Sequence, residues 1–306
     1  MPIEWAIIMV AAISDTILLS ETSFRLEPSS QLRILADLVP LAVVFVICRR
    51  WRSFPRITHR LANLIRTVFT LVLFTNAAVI LNFILTGILP LPRWDGALAN
   101  ADRALGLNWL EMYQWLTRHP AIEASARAVY MSLGPQMLIL LFALELLGHH
   151  NQARALLLWF MVSAIATVGI GVLIPAAGPV VYYHLPVAAT TGYVSQWADL
   201  RNGTLRTINP LNNQGLVVFP SFHASLAVLC ACAAWPLRIL RYPLLALNLL
   251  IILSSPAMGG HYFIDIFAGI ILAALTVGLP GYILSGIQRR LKKNMRQAEA
   301  PAFASK

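Results

Sequence analysis

Phe219-Pro220-Ser221-Phe222-His223-Ala224-Ser225 opens an apolar run that continues to about residue 236. Gly259-Gly260-His261-Tyr262-Phe263-Ile264-Asp265 opens a second, which continues to about residue 284. Proline is favoured in the first turn of a helix, and a glycine pair permits a break just before one. Each histidine is therefore expected at the start of a helix of membrane-spanning length. Helix starts carry unpaired N–H groups and a partial positive charge, which suits them to phosphate. Two histidines, an aspartate and two anion-friendly helix starts point to phosphoryl transfer at a membrane surface.

Working outward, 58% hydrophobic and 12% charged residues, with a mean hydropathy of +0.70, exclude an ordinary soluble domain. A helix needs roughly 20 apolar residues to cross the hydrocarbon core. Windows of that size predict about eight spans, near 3–20, 33–48, 67–90, 127–148, 155–175, 219–236, 240–258 and 261–284. The expected fold is an all-α polytopic bundle. It divides into a two-helix addition over 1–60, a catalytic membrane domain over 61–285 and a basic tail over 286–306. The first two spans are the weakest, since one is short and holds Asp15 and the other holds Asp37 and Pro40.

Charge placement orients the bundle. Arg49, Arg50, Arg52, Arg56, Arg60 and Arg66 precede the third span, and Arg289, Arg290, Lys292, Lys293, Arg296 and Lys306 follow the last. Short cytoplasmic loops are enriched in Lys and Arg, so both segments are expected inside, together with Arg154, Arg238 and Arg241. Both termini then lie inside, and the starts at 219 and 261 lie together on the outer face. The net charge of +10 is on this reading an orientation signal, since no aromatic-interleaved basic stripe speaks for nucleic acid. The N-terminus lacks a basic region and a small-residue cleavage site, and reads as a retained span. Cys48, Cys230 and Cys232 fall in or beside spans and read as buried small side chains.

Two outer loops are long. Residues 91–125 hold Trp94, Trp109, Tyr113 and Trp115 in a helix-compatible pattern, which fits either the lipid interface or packing against the bundle. The loop from Ala176 to about Val218 leads into the first histidine motif and is expected to be an ordered cap. Within it stand Gly178-Pro179 and Leu200-Arg201-Asn202-Gly203. Arg201 is a candidate phosphate clamp, because guanidinium presents a bidentate fork to phosphate oxygens; the bland reading is a solvated loop arginine.

His261 and Asp265, four residues apart, share a helix face. A carboxylate accepting one imidazole N–H would fix the tautomer and leave the other nitrogen free for attack. His223 would then protonate the leaving oxygen, with helix-start N–H groups and Arg201 stabilising the transferring group. Ser221 is assigned to helix capping or phosphate contact, and Gly178, Gly260 and Tyr262 complete the expected substrate contacts.

The blocks Phe-Pro-Ser-Phe-His-Ala at 219–224 and Gly-Gly-His-Tyr-x-x-Asp-x-x-Ala-Gly at 259–269 resemble the second and third signature motifs of the type 2 phosphatidic acid phosphatase superfamily. More narrowly, they are similar to its inositol phosphorylceramide synthase-like branch, as are Asp102-Arg103-Ala104-Leu105-Gly106-Leu107-Asn108-Trp109 and Leu200–Gly203. The resemblance covers roughly 95–280. It implies a six-helix catalytic core, a phosphohistidine intermediate, and no metal or other cofactor. His261 would be the nucleophile, Asp265 its orienter and His223 the acid. The substrates implied are a phospholipid donor and a lipid or water acceptor, at the outer (periplasmic) side of a bacterial inner membrane. Two departures stand out. Ser255 occupies the place of an arginine six residues before the third-motif histidine, and the family's first motif, a lysine followed by Arg-Pro, has no good match. Both shift phosphate anchoring onto Arg201 and backbone N–H groups.

Other readings remain open. The same site would serve a lipid phosphate or polyprenyl (pyro)phosphate phosphatase. Ser221, His261 and the small residues near Gly269 faintly resemble an intramembrane Ser–His protease, which leaves His223 and Asp265 idle. His223, His261 and Asp265 have the chemistry of a zinc site. A transporter would explain Asp15, Asn76, Asn82 and Glu145, though no internal repeat supports one. Asp15 and Glu145 are expected near helix ends or in pairs. Donor, acceptor and oligomeric state are not readable.

Overall fold

The computed structural model describes residues 3–50, 55–186, 192–212 and 215–278, and these are almost wholly helical. Helices α1 (Ile3–Glu21) and α2 (Pro28–Arg50) precede the long α3 (Pro55–Ile88). Short α4 (Asp95–Ala104), α5 (Trp109–Thr117) and α6 (Pro120–Met131) lead into α7 (Leu133–Leu146) and α8 (His150–Leu173). The second long loop carries α9 (Pro179–Tyr182) and α10 (Gly192–Asn202), before α11 (Phe222–Ala234), α12 (Arg241–Met258) and α13 (Phe263–Gly278). The basic tail and the end of the last expected span lie outside the described residues.

All eight expected spans are helical. Those of α1, α2, α3, the α6–α7 pair, α8 and α12 are long and apolar enough to cross a membrane; α11 and α13 are apolar but shorter. Ser132 keeps a helical backbone, so α6 and α7 together make one span over Pro120–Leu146. The third helix starts at Pro55, twelve residues before the apolar window, because Arg, Leu and Ala there are good helix formers. This is an integral membrane helix bundle.

The helices are apolar on every side, as expected of elements with lipid on one face and protein on the other. Phe74, Leu140, Leu141, Leu144, Leu156, Met161 and Leu229 form the largest buried cluster, while Val10, Ile17, Val43, Ile139 and Leu253 point outward. Helices α1 and α2 pack along α3. At one end of the bundle, Arg60 donates to the Leu146 carbonyl (2.9 Å), Arg154 pairs with Glu4 (3.0 Å) and Gln152 donates to the Cys232 carbonyl (3.4 Å). Glu145 also lies there, at a helix end, held by Thr67 (3.0 Å) and His150 (2.5 Å). Asp15 differs from expectation. It sits mid-helix and buried, and its Oδ1 has no hydrogen-bond partner among the described residues.

The opposite end carries the loops. Two-residue strands β1 (Arg25–Leu26) and β2 (Thr207–Ile208) pair in parallel, tying the α1–α2 connection to the long loop. Phe24, Phe83, Ile84, Trp197, Leu200 and Leu216 form a second buried cluster beneath that pairing. The described part of the loop is therefore a packed cap.

Candidate active site

Helices α11 and α13 begin side by side. The Ser221 N–H donates to the Asp265 carbonyl at 3.0 Å. A methyl group added to Gly269 would lie 2.3 Å from the Ser221 carbonyl oxygen, so the two helices approach at backbone distance. Small residues at such crossings are what permit close helix packing in lipid. His223, in the first turn of α11, and His261, just before α13, are thereby brought to one junction.

His261 is buried, and its Nδ1 lies 2.7 Å from the Val218 carbonyl oxygen. A carbonyl can only accept, so Nδ1 carries a proton, and in the neutral ring Nε2 then carries the lone pair. The expected orienter was Asp265, yet its Oδ2 stands 3.6 Å from Nδ1, beyond hydrogen-bond range. Oδ2 is drawn instead to the Tyr262 N–H at 2.7 Å, three residues back at the helix start. Asp265 is fully buried, and its Oδ1 has no partner among the described residues. The carbonyl thus fixes the tautomer, and the Asp265 carboxyl group lies beside the ring.

The start of α13 is not open to phosphate in the expected way. Asp102 accepts from the Phe263 N–H (2.9 Å) and the Ile264 N–H (2.8 Å), reaching across from α4. Burial pushes the Asp102 carboxyl up, and these two N–H groups only partly offset it. With Tyr262 N–H on Asp265, the first donors of this helix are held by the protein's own carboxylates. Such carboxylates satisfy the orphan donors and the helix dipole together. At α11, Ser221 acts as the N-cap, its buried Oγ accepting from the Ala224 N–H at 3.3 Å. That is the capping role expected of it.

A second carboxylate, Asp95, ties the loops to the site. It accepts from the N–H groups of Ala177 (3.1 Å) and Gly178 (2.9 Å), from the Tyr262 hydroxyl (3.0 Å) and from Arg93 (2.9 Å). Tyr262 is completely buried by this contact, a brace between the motif and the loop. Burial, then the charge and hydrogen bond of Asp95, hold its phenol well above the usual range. Gly178, at φ +92°, and Gly260, at φ +64°, turn the chain through conformations that disfavour a Cβ. Gly178 shapes the Asp95 cradle, and Gly260 turns the chain into His261.

Arg201 closes α10. It donates to the Leu91 carbonyl at 2.6 Å, lies over the Trp197 ring, and lines a narrow cleft with Gly171, Val217 and Val218. Burial first, and then the positive charge of Arg93, depress its guanidinium. Val218, whose carbonyl holds His261, also lines this cleft. Of the aromatic residues in 91–125, Trp109 is fully buried, donates to the Pro256 carbonyl at 3.1 Å and stacks on Tyr113 and Tyr183. Trp94 and Trp115 remain about half exposed. Among the described residues no three His, Cys, Asp or Glu side chains are grouped as a metal site.

Sequence reasoning missed Asp95, Asp102 and the Val218 carbonyl. Asp102 had one available signal, since it heads the stretch 102–109 already singled out. A family model described as the PAP2 superfamily matches residues 96–279, more than half of the chain, including both histidine motifs, Asp102 and Arg201. No curated protein and no solved structure gave a match.

Proposed function

We propose that this chain, which belongs to the PAP2 superfamily, moves a phospho-headgroup from a phospholipid to a lipid hydroxyl through a phosphohistidine on His261. Family membership supports a lipid phosphatase or phosphotransferase as the kind of enzyme. The observation that carries the finer reading is the 2.7 Å contact of His261 Nδ1 with the Val218 carbonyl, which makes Nε2 of the neutral ring the nucleophilic nitrogen.

In the first step Nε2 attacks phosphorus, the P–O bond to the leaving group breaks, and His223 gives its proton to the departing oxygen. Positive charge that builds on His261 is countered by the Val218 carbonyl dipole and the carboxylate of Asp265. In the second step the acceptor hydroxyl attacks the phosphohistidine and surrenders its proton to His223, which restores both histidines. Arg201, with Arg93 beside it, is the candidate for holding phosphate oxygens. The N–H groups in the first turn of α11 ahead of the capped Ala224 would assist it. Gly178 and Gly260 act by shaping backbone, Ser221 by capping, and Tyr262 by bracing.

The synthase-like branch is preferred for two reasons. The Ser255 position and the absent first motif both leave the phosphatase-type anchoring set incomplete. We assign the site to the outer side of the membrane, taken as a bacterial inner membrane, because Arg60 and Arg154 gather at the opposite end, which marks that end as the inner one.

The test is purified protein in nanodiscs with labelled phospholipids, ceramide or diacylglycerol as acceptor, and EDTA throughout. A new phospholipid is expected. Free phosphate or phospho-alcohol alone would make the enzyme a hydrolase. Turnover that disappears in EDTA and returns with zinc would overturn the metal-free route. No turnover, with substrate crossing liposomes, would make the chain a transporter.

A further inference from the structure

The geometry points to Tyr130 as a positioning residue for the general acid, a ring on which His223 is stacked so that its proton meets the leaving oxygen. This rests on the reading above, in which His223 protonates that oxygen. Tyr130 is the penultimate residue of α6, and α6 packs along α12, the helix that ends at the Gly259-Gly260 break. The Tyr130 and His223 rings are 4.3 Å apart, centre to centre, and only 16° from parallel. His223 has two rotatable side-chain bonds, and the helix fixes only its Cα. A parallel aromatic face restricts the ring to one plane.

A second, independent observation comes from Gly259. A methyl group there would lie 2.6 Å from His261 Cδ2, 2.8 Å from the Tyr130 hydroxyl and 2.9 Å from the Ser255 carbonyl oxygen. Its backbone angle is an ordinary one, φ −93°, so space and not conformation demands glycine. The missing side chain lets the Tyr130 hydroxyl and the edge of the nucleophile's ring share one small volume. Tyr130 therefore stacks on the acid with its face, while its hydroxyl borders the same small volume as the edge of the nucleophile's ring.

In the step concerned, the P–O bond breaks as the His223 N–H proton passes to the leaving alkoxide. A leaving group that is stable as an anion does not need that proton. Tyr130→Leu and Tyr130→Phe, made in the full-length protein in nanodiscs, separate the possibilities. Each is assayed with a phospholipid and with a lipid analogue that expels p-nitrophenolate. Tyr130→Leu is expected to lose at least about tenfold in kcat on the phospholipid, with KM little changed, and under about threefold in the first-turnover burst of p-nitrophenolate, which reports only the first step. His223→Ala should show the same split in that burst. His261→Ala should lose both reactions. Tyr130→Phe, which keeps the ring, should recover most of what Tyr130→Leu loses. Should Tyr130→Leu fail to fold, Tyr130→Met keeps the bulk without the ring and is read the same way. Equal losses on both substrates, or a Phe variant no better than Leu, would overturn the role given to Tyr130. A His261→Ala variant that still turned over both substrates would overturn the underlying mechanism instead.

Discussion

Replacing Asp102 with alanine removes the cap that connects α4 to the helix start just beyond His261. Two N–H donors, on Phe263 and Ile264, lose carboxylate acceptors at 2.9 and 2.8 Å. Hydrogen bonds to a charged acceptor contribute about 1.5–3 kcal/mol each. The sum is reduced because the carboxylate is buried, and burial raises the cost of its charge. It is reduced again because Phe263 and Ile264 are only half-buried, so water can replace part of the contact. The net loss should lie near the upper end of measured N-cap substitutions, about 2 kcal/mol. Activity should fall further than stability. The freed turn carries His261 two residues upstream, and a displacement of about 1 Å at reacting atoms can cost on the order of 100-fold. Thermal unfolding in nanodiscs, read by intrinsic fluorescence, and kcat on a phospholipid give the two numbers. Asp102→Asn, which keeps one acceptor and turns an amide NH2 toward the other donor, should fall between wild type and alanine. An alanine variant with unchanged melting and unchanged kcat would refute the idea that this carboxylate sets the position of His261.

Four further outcomes are expected. His261→Ala and His223→Ala should each lower kcat by at least about 100-fold while melting normally, as measured with a phospholipid substrate. Asp265→Asn should keep the fold, because an amide oxygen still accepts from Tyr262 N–H, but lose most turnover for want of the charge beside His261; full activity would remove that electrostatic role. Gly269→Ala places a methyl 2.3 Å from the Ser221 carbonyl oxygen, and overpacking of that kind should destabilise by about 1–3 kcal/mol, visible as a lower melting temperature. The Asp102 carboxyl is raised from 3.8 in the folded chain, so the folded state binds the extra proton. Its contribution to stability is greatest in acid and declines as pH rises from 3.8 through the raised value. Asp102→Asn should flatten the melting temperature against pH in that window, and an unchanged slope would count against it.

The spans were legible because their signal is cumulative: some twenty apolar residues in a row need no partner to be recognised. Pairing of the two histidine motifs was legible as well, since counting loops by charge placed both on one face. What the residues around them do was harder to read. Asp102 acts on N–H groups 161 and 162 positions away, and a cap at that separation leaves no local pattern. The group that orients His261 is a backbone carbonyl, which no residue type betrays, so attention went to Asp265, four positions off on the same face. Trp109 and Trp94 look alike in the sequence, yet one is sealed beneath Pro256 and the other half exposed. That difference comes from Tyr113 and Tyr183 closing over the first ring. Tyr262 was expected as a substrate contact, but it is fully buried and its hydroxyl donates to Asp95.

The brevity of α11 carries a consequence for how a lipid reaches the nucleophile. Thirteen residues rise only ~20 Å at ~1.5 Å each, against a hydrocarbon layer of ~30 Å. With its far end beside Gln152, the helix would begin about 10 Å short of the site-side edge of that layer if that far end lies at the hydrocarbon boundary. The reacting centre would then sit below the phosphate plane of the surrounding bilayer. A phospholipid entering sideways would have to sink its headgroup and not lift its tails. Water faces the longer journey, downward past the loop cap, while a hydroxyl on a neighbouring lipid is delivered at depth by its own chains. Such a sunken floor would bias the fate of a phosphorylated histidine toward acceptors that already live in the membrane.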